Sequence, residues 1–145
     1  MYRHILLPTD GSDLSATAVR DGVKFAKEIG ARVTAVHVTP PFHPTEMTPS
    51  VFTAHLEEHE AHTRESSKRA LAVVTEAAAA AGVPCTTVHR VGSSPYEEII
   101  GLATDAGCDL IFMASHGRRG VAALLLGSET NKVLTHSKIP VLVTR

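Results

Sequence analysis

An aspartate ends the first apolar run of the chain, in Pro8-Thr9-Asp10-Gly11-Ser12. A later apolar run leads into Ala114-Ser115-His116-Gly117 and, nine residues on, Gly127-Ser128. A carboxylate facing a glycine-lined loop suits a nucleoside phosphate: Asp10 could accept hydrogen bonds from ribose hydroxyls while loop amides hold phosphates. Gly127 lets the backbone approach a ligand closely and supplies an unusual dihedral if one is needed. Ser128, Glu129 and Thr130 then open a helix, so their unpaired N–H groups point toward any bound anion and both hydroxyls add donors. A plainer reading makes Ser128 an N-cap and Gly127 a turn residue, and the residues alone leave both readings open. Two standard nucleotide signatures are missing from the sequence. No GxGxxG follows a strand, and no GxxxxGK[ST] occurs.

The nine histidines are an excess. His55, His59 and His62 fall at i, i+4 and i+7 on one helical face, a spacing that could clamp Zn²⁺ or Ni²⁺ with Glu58 nearby. The expected reading is an exposed polar face that titrates near neutral pH. His4 and His37, in strands, are expected to be satisfied core or edge histidines. His116 is the candidate general base beside the loop, or simply a hydrogen-bonding spacer. Asp10 and Glu129 could ligate Mg²⁺, which keeps several waters and needs few carboxylates. Phosphoryl transfer demands positioned metals, a polarising cation and an oriented nucleophile, so binding fits better than efficient hydrolysis, with slow hydrolysis left open. Cys85 and Cys108 have no CxxC or metal-ligand spacing and read as small buried thiols.

These residues need elements to position them. His4 to Thr9 is a compact apolar strand with Pro8 at its end, and Ser12 can cap a helix that Gly30 stops. Arg32 to Val38 is a second strand, followed by a proline-rich loop from Thr39 to Ser50. A long helix is predicted from Val51 to Gly82, polar in its first half and alanine-rich in its second. Pro84 to Val91 reads as a strand at a sheet edge. Pro95 opens a third helix with Glu97 and Glu98 behind it. Leu110 to Ala114 is a strongly apolar fourth strand, Ser128 to His136 a short helix and Pro140 to Thr144 a fifth strand. Such alternation predicts an α/β fold, a doubly wound five-stranded parallel sheet with about four helices. Ligands then bind outside the carboxyl ends of the strands, where strand order reverses.

Composition limits the partners. The 145 residues make one domain, and 14 Lys and Arg balance 15 Asp and Glu for a formal charge of -1. That balance offers no basic footprint for nucleic acid. With two tyrosines, four phenylalanines and no tryptophan, a base-stacking platform is also excluded. No apolar run approaches the roughly 18–20 residues that span a bilayer. The N-terminus lacks a signal-peptide cleavage site, so a cytoplasmic protein is expected.

Ala114-x2-Gly117-x9-Gly127-Ser128 closely resembles the G-x2-G-x9-G-[S/T] nucleotide motif of the universal stress protein family. The resemblance runs from HILLPTDGS at residues 4–12 to the closing IPVLVTR and implies one such domain over residues 1–145. It implies adenine-nucleotide binding, ATP above all, in stress response or signalling. Pro8, Thr9 and Asp10 would lie at the first strand, with Asp10 on the ribose. Val38 would offer backbone atoms and an apolar wall to adenine, and Met113 and Ala114 would line the far side of the nucleoside. Gly117, Gly127, Ser128 and Thr130 would contact the phosphates. The resemblance also implies a homodimer paired through the last strand, Val141 to Thr144.

Two departures from the family pattern matter. Ala114 replaces the motif's first glycine; at negative φ its methyl is tolerable, whereas positive φ would cost about 1 kcal/mol and crowd the ribose. Glu129 sits in the phosphate region, where its charge suits the helix dipole but would repel a triphosphate. Arg118 and Arg119, in the spacer, could compensate. Both departures favour the rival reading, a nucleotide-independent dimeric interaction protein. With no aromatic at the expected site, adenine would have to be held by backbone groups and aliphatic walls such as Val38 and Met113.

Overall fold

The computed structural model describes residues 1–116 and 125–145. The alternating pattern resolves into β1 (His4–Pro8), α1 (Asp13–Ile29), β2 (Arg32–Thr39), α2 (Pro49–Ala81), β3 (Cys85–Val91), α3 (Pro95–Asp105), β4 (Leu110–Ala114), α4 (Ser128–His136) and β5 (Val141–Thr144). All strand pairings are parallel, in the order β3-β2-β1-β4-β5. The doubly wound five-stranded sheet expected from the sequence is therefore what forms, and β3 does lie at an edge. Strand order reverses at β1, which runs between β2 and β4.

Each central strand buries both faces, as a parallel sheet covered on two sides must. Along β4, Leu110 and Phe112 join one core with Ile5, Leu7, Val23 and Val74, while Ile111 and Met113 join another with Leu6, Ile99 and Val133. Helices α1 and α2 cover the first core, and α3 and α4 the second. Helix α1 presses so closely that a Cβ on Gly22 would lie 2.5 Å from Leu7 Cδ2 and 3.1 Å from Phe112 Cδ1. A side chain there would force Leu7 and Phe112 to shift, which favours glycine despite its entropic cost inside a helix.

Several boundaries differ from the sequence reading: β1 ends at Pro8 rather than Thr9, and β3 starts at Cys85 rather than Pro84. Thr39 continues β2, in register with Val91, and its carbonyl accepts the Gly92 N–H at 3.0 Å. Helix α2 begins at Pro49 because Thr48 holds extended dihedrals (φ -69°, ψ 154°) and proline at the first helical position forfeits no bond. Its second half buries Ala70, Leu71, Val74 and Ala78, while most of its first half is exposed. Strand β5 starts at Val141 and lies at the other edge of the sheet. Among the described residues, no helix is long and apolar enough to cross a membrane.

Candidate functional site

At the carboxyl ends of the strands lies a cleft of about 540 Å³, within the size range of small-molecule sites. Backbone alternation explains why it opens between β1 and β4. The Thr9 N–H points toward β2, bonding the Val36 carbonyl at 2.9 Å, whereas the His4 carbonyl faces the other way and accepts the Asp109 N–H at 2.9 Å. Residues 4, 6 and 8 thus turn their peptide groups toward β4. At position 8 the residue is proline, with no N–H to offer. The β1–β4 register ends at Leu6 opposite Ile111, while β1 stays beside β2 through Pro8. The resulting gap is walled by Pro8 and Thr9 on one side and by Met113 and Ala114 on the other.

The loop after β1 is locked by its own side chains. Asp10 Oδ1 accepts the Ser12 N–H at 2.9 Å, Thr9 Oγ1 accepts the Gly11 N–H at 3.2 Å, and Gly11 takes φ 79°. Ser12 caps α1 by accepting the Ser15 N–H. Ser15 answers from the third helical position: its Oγ accepts the Asp10 N–H at 3.2 Å and donates to Thr9 Oγ1 at 2.6 Å. The arrangement is a shifted variant of a capping box, with Ser15 reaching back to Asp10 rather than to the cap residue. It fixes the Asp10 carboxylate on the cleft wall, and Ser15 itself lines the cleft.

On the other side, β4 anchors the start of α4. The Gly127 N–H donates to the Ser115 carbonyl at 2.8 Å, and buried Thr130 donates its hydroxyl to the Ala114 carbonyl at 3.0 Å. Gly127, rather than Ser128, is the N-cap. Its φ of -60° is open to any residue, so the unusual dihedral is not needed and only the missing side chain matters. The first intrahelical bond runs from Asn131 N–H to Gly127 carbonyl, and among the described residues no side chain caps this end. The N–H groups of Ser128, Glu129 and Thr130 therefore open onto the cleft that those residues line, the arrangement that binds anions. Ala114 is a strand residue in register with Thr144, so its methyl carries no positive-φ penalty.

Glu129 is not loose. Its Oε2 accepts the Tyr96 N–H at 3.0 Å and its Oε1 accepts from Lys132 Nζ at 3.1 Å. Each oxygen already accepts one hydrogen bond, so as a Mg²⁺ ligand Glu129 would have to share or give up these partners. Val38, Pro40, Ile99 and Met113 supply apolar wall. Pro40, Ser93, Pro95 and Ile99 come from loops and a helix that the sequence reading left out of the site. Pro95 was legible as a helix start, but not which cleft that start would border. His116 also lines the cleft; its Nδ1 meets Ser115 Oγ at 2.9 Å, and its buried Nε2 has no hydrogen-bond partner among the described residues.

Other expected groups fall elsewhere. Gly117, Arg118 and Arg119 lie outside the described residues. His59 meets the Pro40 carbonyl through Nε2 at 3.1 Å and packs against Phe42, while His55 and His62 are exposed. Among the described residues, no group of three His, Cys, Asp or Glu side chains is placed to hold a metal. Burial, then the neighbouring Asp109 carboxylate, pushes the Cys108 thiol up to about 11, and burial raises Cys85. Thiols so shifted are poor nucleophiles.

The universal stress protein family model matches residues 1–145. Universal stress protein YxiE of Bacillus subtilis is 34% identical over the full length of both chains. Among solved structures, protein MJ0577 superposes with a TM-score of 0.83 at 30% identity, over 99% of this chain and 96% of that one. A universal stress protein in complex with cAMP superposes with a TM-score of 0.66 at 26% identity, over 99% and 97% of the two chains. The chain belongs to the universal stress protein family.

Proposed function

We propose that the chain binds an adenine nucleotide, ATP being the ligand the family motif implies, in the cleft between β1 and β4. One observation supports this most. A gap in the sheet brings together Asp10, held by its own loop, and the uncapped N-terminus of α4, with aliphatic wall between them. Asp10 would accept from the ribose hydroxyls, Val38 and Met113 would enclose the base, and the N–H groups of Ser128, Glu129 and Thr130 would take phosphate. The relative bound to cAMP supports the same class of ligand. Mg²⁺, where it accompanies the nucleotide, would be held by phosphates and waters with Asp10 as the nearest carboxylate. The role proposed is binding rather than turnover, in a cytoplasmic stress or signalling protein.

A homodimer through β5 belongs to the same proposal. Val141–Thr144 forms an edge strand whose residues are only half-buried, and an edge of this kind invites pairing with a second copy.

Mass spectrometry of small molecules released on denaturing the purified protein tests the ligand directly; an adenine nucleotide is expected. Calorimetry then tests the site. Gly127→Asp places a carboxylate at the mouth of the phosphate site and should weaken binding by at least about tenfold. Unchanged affinity would place the phosphates elsewhere.

A further inference from the structure

We propose that Glu129 limits the number of phosphates the cleft accepts, because its carboxylate occupies the one anion-binding position that a second helix offers there. The inference rests on the nucleotide reading of the cleft. Besides α1, whose start is capped by Ser12, helix N-termini border this space at α4 through Gly127 and Ser128 and at α3 through Pro95. These last two differ in what they have left to give. Among the described residues, the α4 terminus keeps three backbone donors. At α3, Pro95 has no N–H, and the Glu97 and Glu98 N–H groups turn back onto the Ser94 carbonyl at 3.0 and 3.3 Å. The remaining donor of that first turn, Tyr96 N–H, goes to Glu129 Oε2 at 3.0 Å. No side chain of α3 caps its own end. A residue of α4 therefore plays the part that a bound anion plays at other helix N-termini.

The carboxylate is also held from the far side. Lys132 Nζ donates to Glu129 Oε1 at 3.1 Å and lies 5.6 Å from the centroid of the Tyr96 ring, which packs on His136 with centroids 5.1 Å apart. To swing away from a ligand, Glu129 would have to uncap α3 and leave Lys132. Its charge is thus a fixed part of the cleft wall, softened by Lys132 but not removed. A first phosphate meets three N–H donors at α4. Each phosphate after it adds like charge within about a helical turn of the carboxylate and finds the α3 terminus filled. The ligand class favoured is an adenosine carrying a single phosphate group, open or cyclic, over the triphosphate.

The test is calorimetry of the full chain with AMP and with ATP, both in chelator so that no divalent cation masks charge. Wild-type protein should bind AMP more tightly than ATP. Glu129→Gln keeps an oxygen for the Tyr96 N–H and removes the charge. It should raise the ATP-to-AMP affinity ratio by about tenfold, the worth of one unit charge at this range and an interfacial dielectric. Glu129→Ala should raise the ratio at least as far and serves if the glutamine variant folds poorly. A ratio unchanged in both variants overturns the proposal while leaving nucleotide binding intact. Binding of neither nucleotide to wild-type protein overturns the reading of the cleft, and the proposal with it.

Discussion

Thr130 was expected at the phosphates, and its hydroxyl turns out to be committed to the Ala114 carbonyl at 3.0 Å. Thr130→Val keeps the shape and deletes that donor. Thr130 is 3% exposed and Ala114 8%, so water cannot readily replace the lost partner. An unsatisfied buried carbonyl costs about 1–3 kcal/mol, and the extra methyl returns at most about 0.8 kcal/mol. The net is about 0.2–2 kcal/mol, or a melting temperature lower by up to about 6 °C for a domain of this length. The effect on binding should be selective. The start of α4 hangs from β4 by this bond and by Gly127 N–H to Ser115 carbonyl at 2.8 Å. Losing one of the two should weaken AMP more than adenosine, which does not reach the α4 donors. Thermal melting and calorimetry with the two ligands make the measurement, with Thr130→Ser as the control that keeps the hydroxyl. A valine variant that melts with wild type, or loses adenosine and AMP equally, refutes the anchoring role.

Two further outcomes follow from packing and charge. Gly22→Ala gains about 1 kcal/mol in helix propensity but drives its methyl into Leu7 and Phe112; overpacking of about 1–3 kcal/mol should win and lower the urea midpoint, and a raised midpoint would mean α1 can back away. The pH dependence should come in two steps. Burial, then the Arg32 charge, holds His4 below its ordinary pKa, so stability is level above about pH 6.5 and falls as the pH drops from there through the lowered folded value, because the unfolded chain protonates first. Burial would raise the Asp109 carboxyl, but the His4 and Arg3 N–H groups outweigh it and lower the net value. Its contribution is present above about pH 4 and is lost as the pH falls through the folded value. Urea midpoints across pH 3–8 should show both steps, and His4→Gln should reduce the upper one, to which His89, lowered by burial and then by the Arg64 charge, also contributes; an unchanged upper step would assign it to His89 or another group.

The sequence made the strand alternation legible because parallel strands buried on both faces read as unbroken apolar runs, as HILL and LIFMA do. Asp10 and the Gly127–Thr130 turn were legible because strand ends and helix starts carry their own residue signatures. Much of what surrounds them was not. Ser15 enters the site through bonds back to Asp10 and Thr9, across the turn that Ser12 caps, and nothing in its local spacing announces them. The partners of Glu129 lie on α3, 33 residues away from it at Tyr96, and no local pattern announces a helix capped by another helix. The sequence therefore presented Glu129 as a charge facing phosphate, when it is also what closes the neighbouring helix. Position 114 shows the reverse case. The concern over its methyl depended on a dihedral, and strand pairing with Thr144 settles that in favour of an ordinary residue.

Pro8 ties the fold to the site. As a strand end it reads as punctuation, yet its ring stands where the next bond of the β1–β4 ladder would form. A donor at that position could extend the ladder toward Met113 and narrow the space between the two halves of the sheet. The halves are unequally joined: β1 runs beside β2 to its last residue but leaves β4 after Leu6. A nucleotide reaching from Asp10 on one half to the α4 donors on the other would bridge the stretch beyond the last registered β1–β4 pair. Ligand binding and the cohesion of the two halves then draw on the same contacts, so occupancy of the cleft would raise the stability of the whole domain by mass action. A missing backbone donor at residue 8 and three at residues 128–130 that no other described residue uses would be complementary parts of that arrangement.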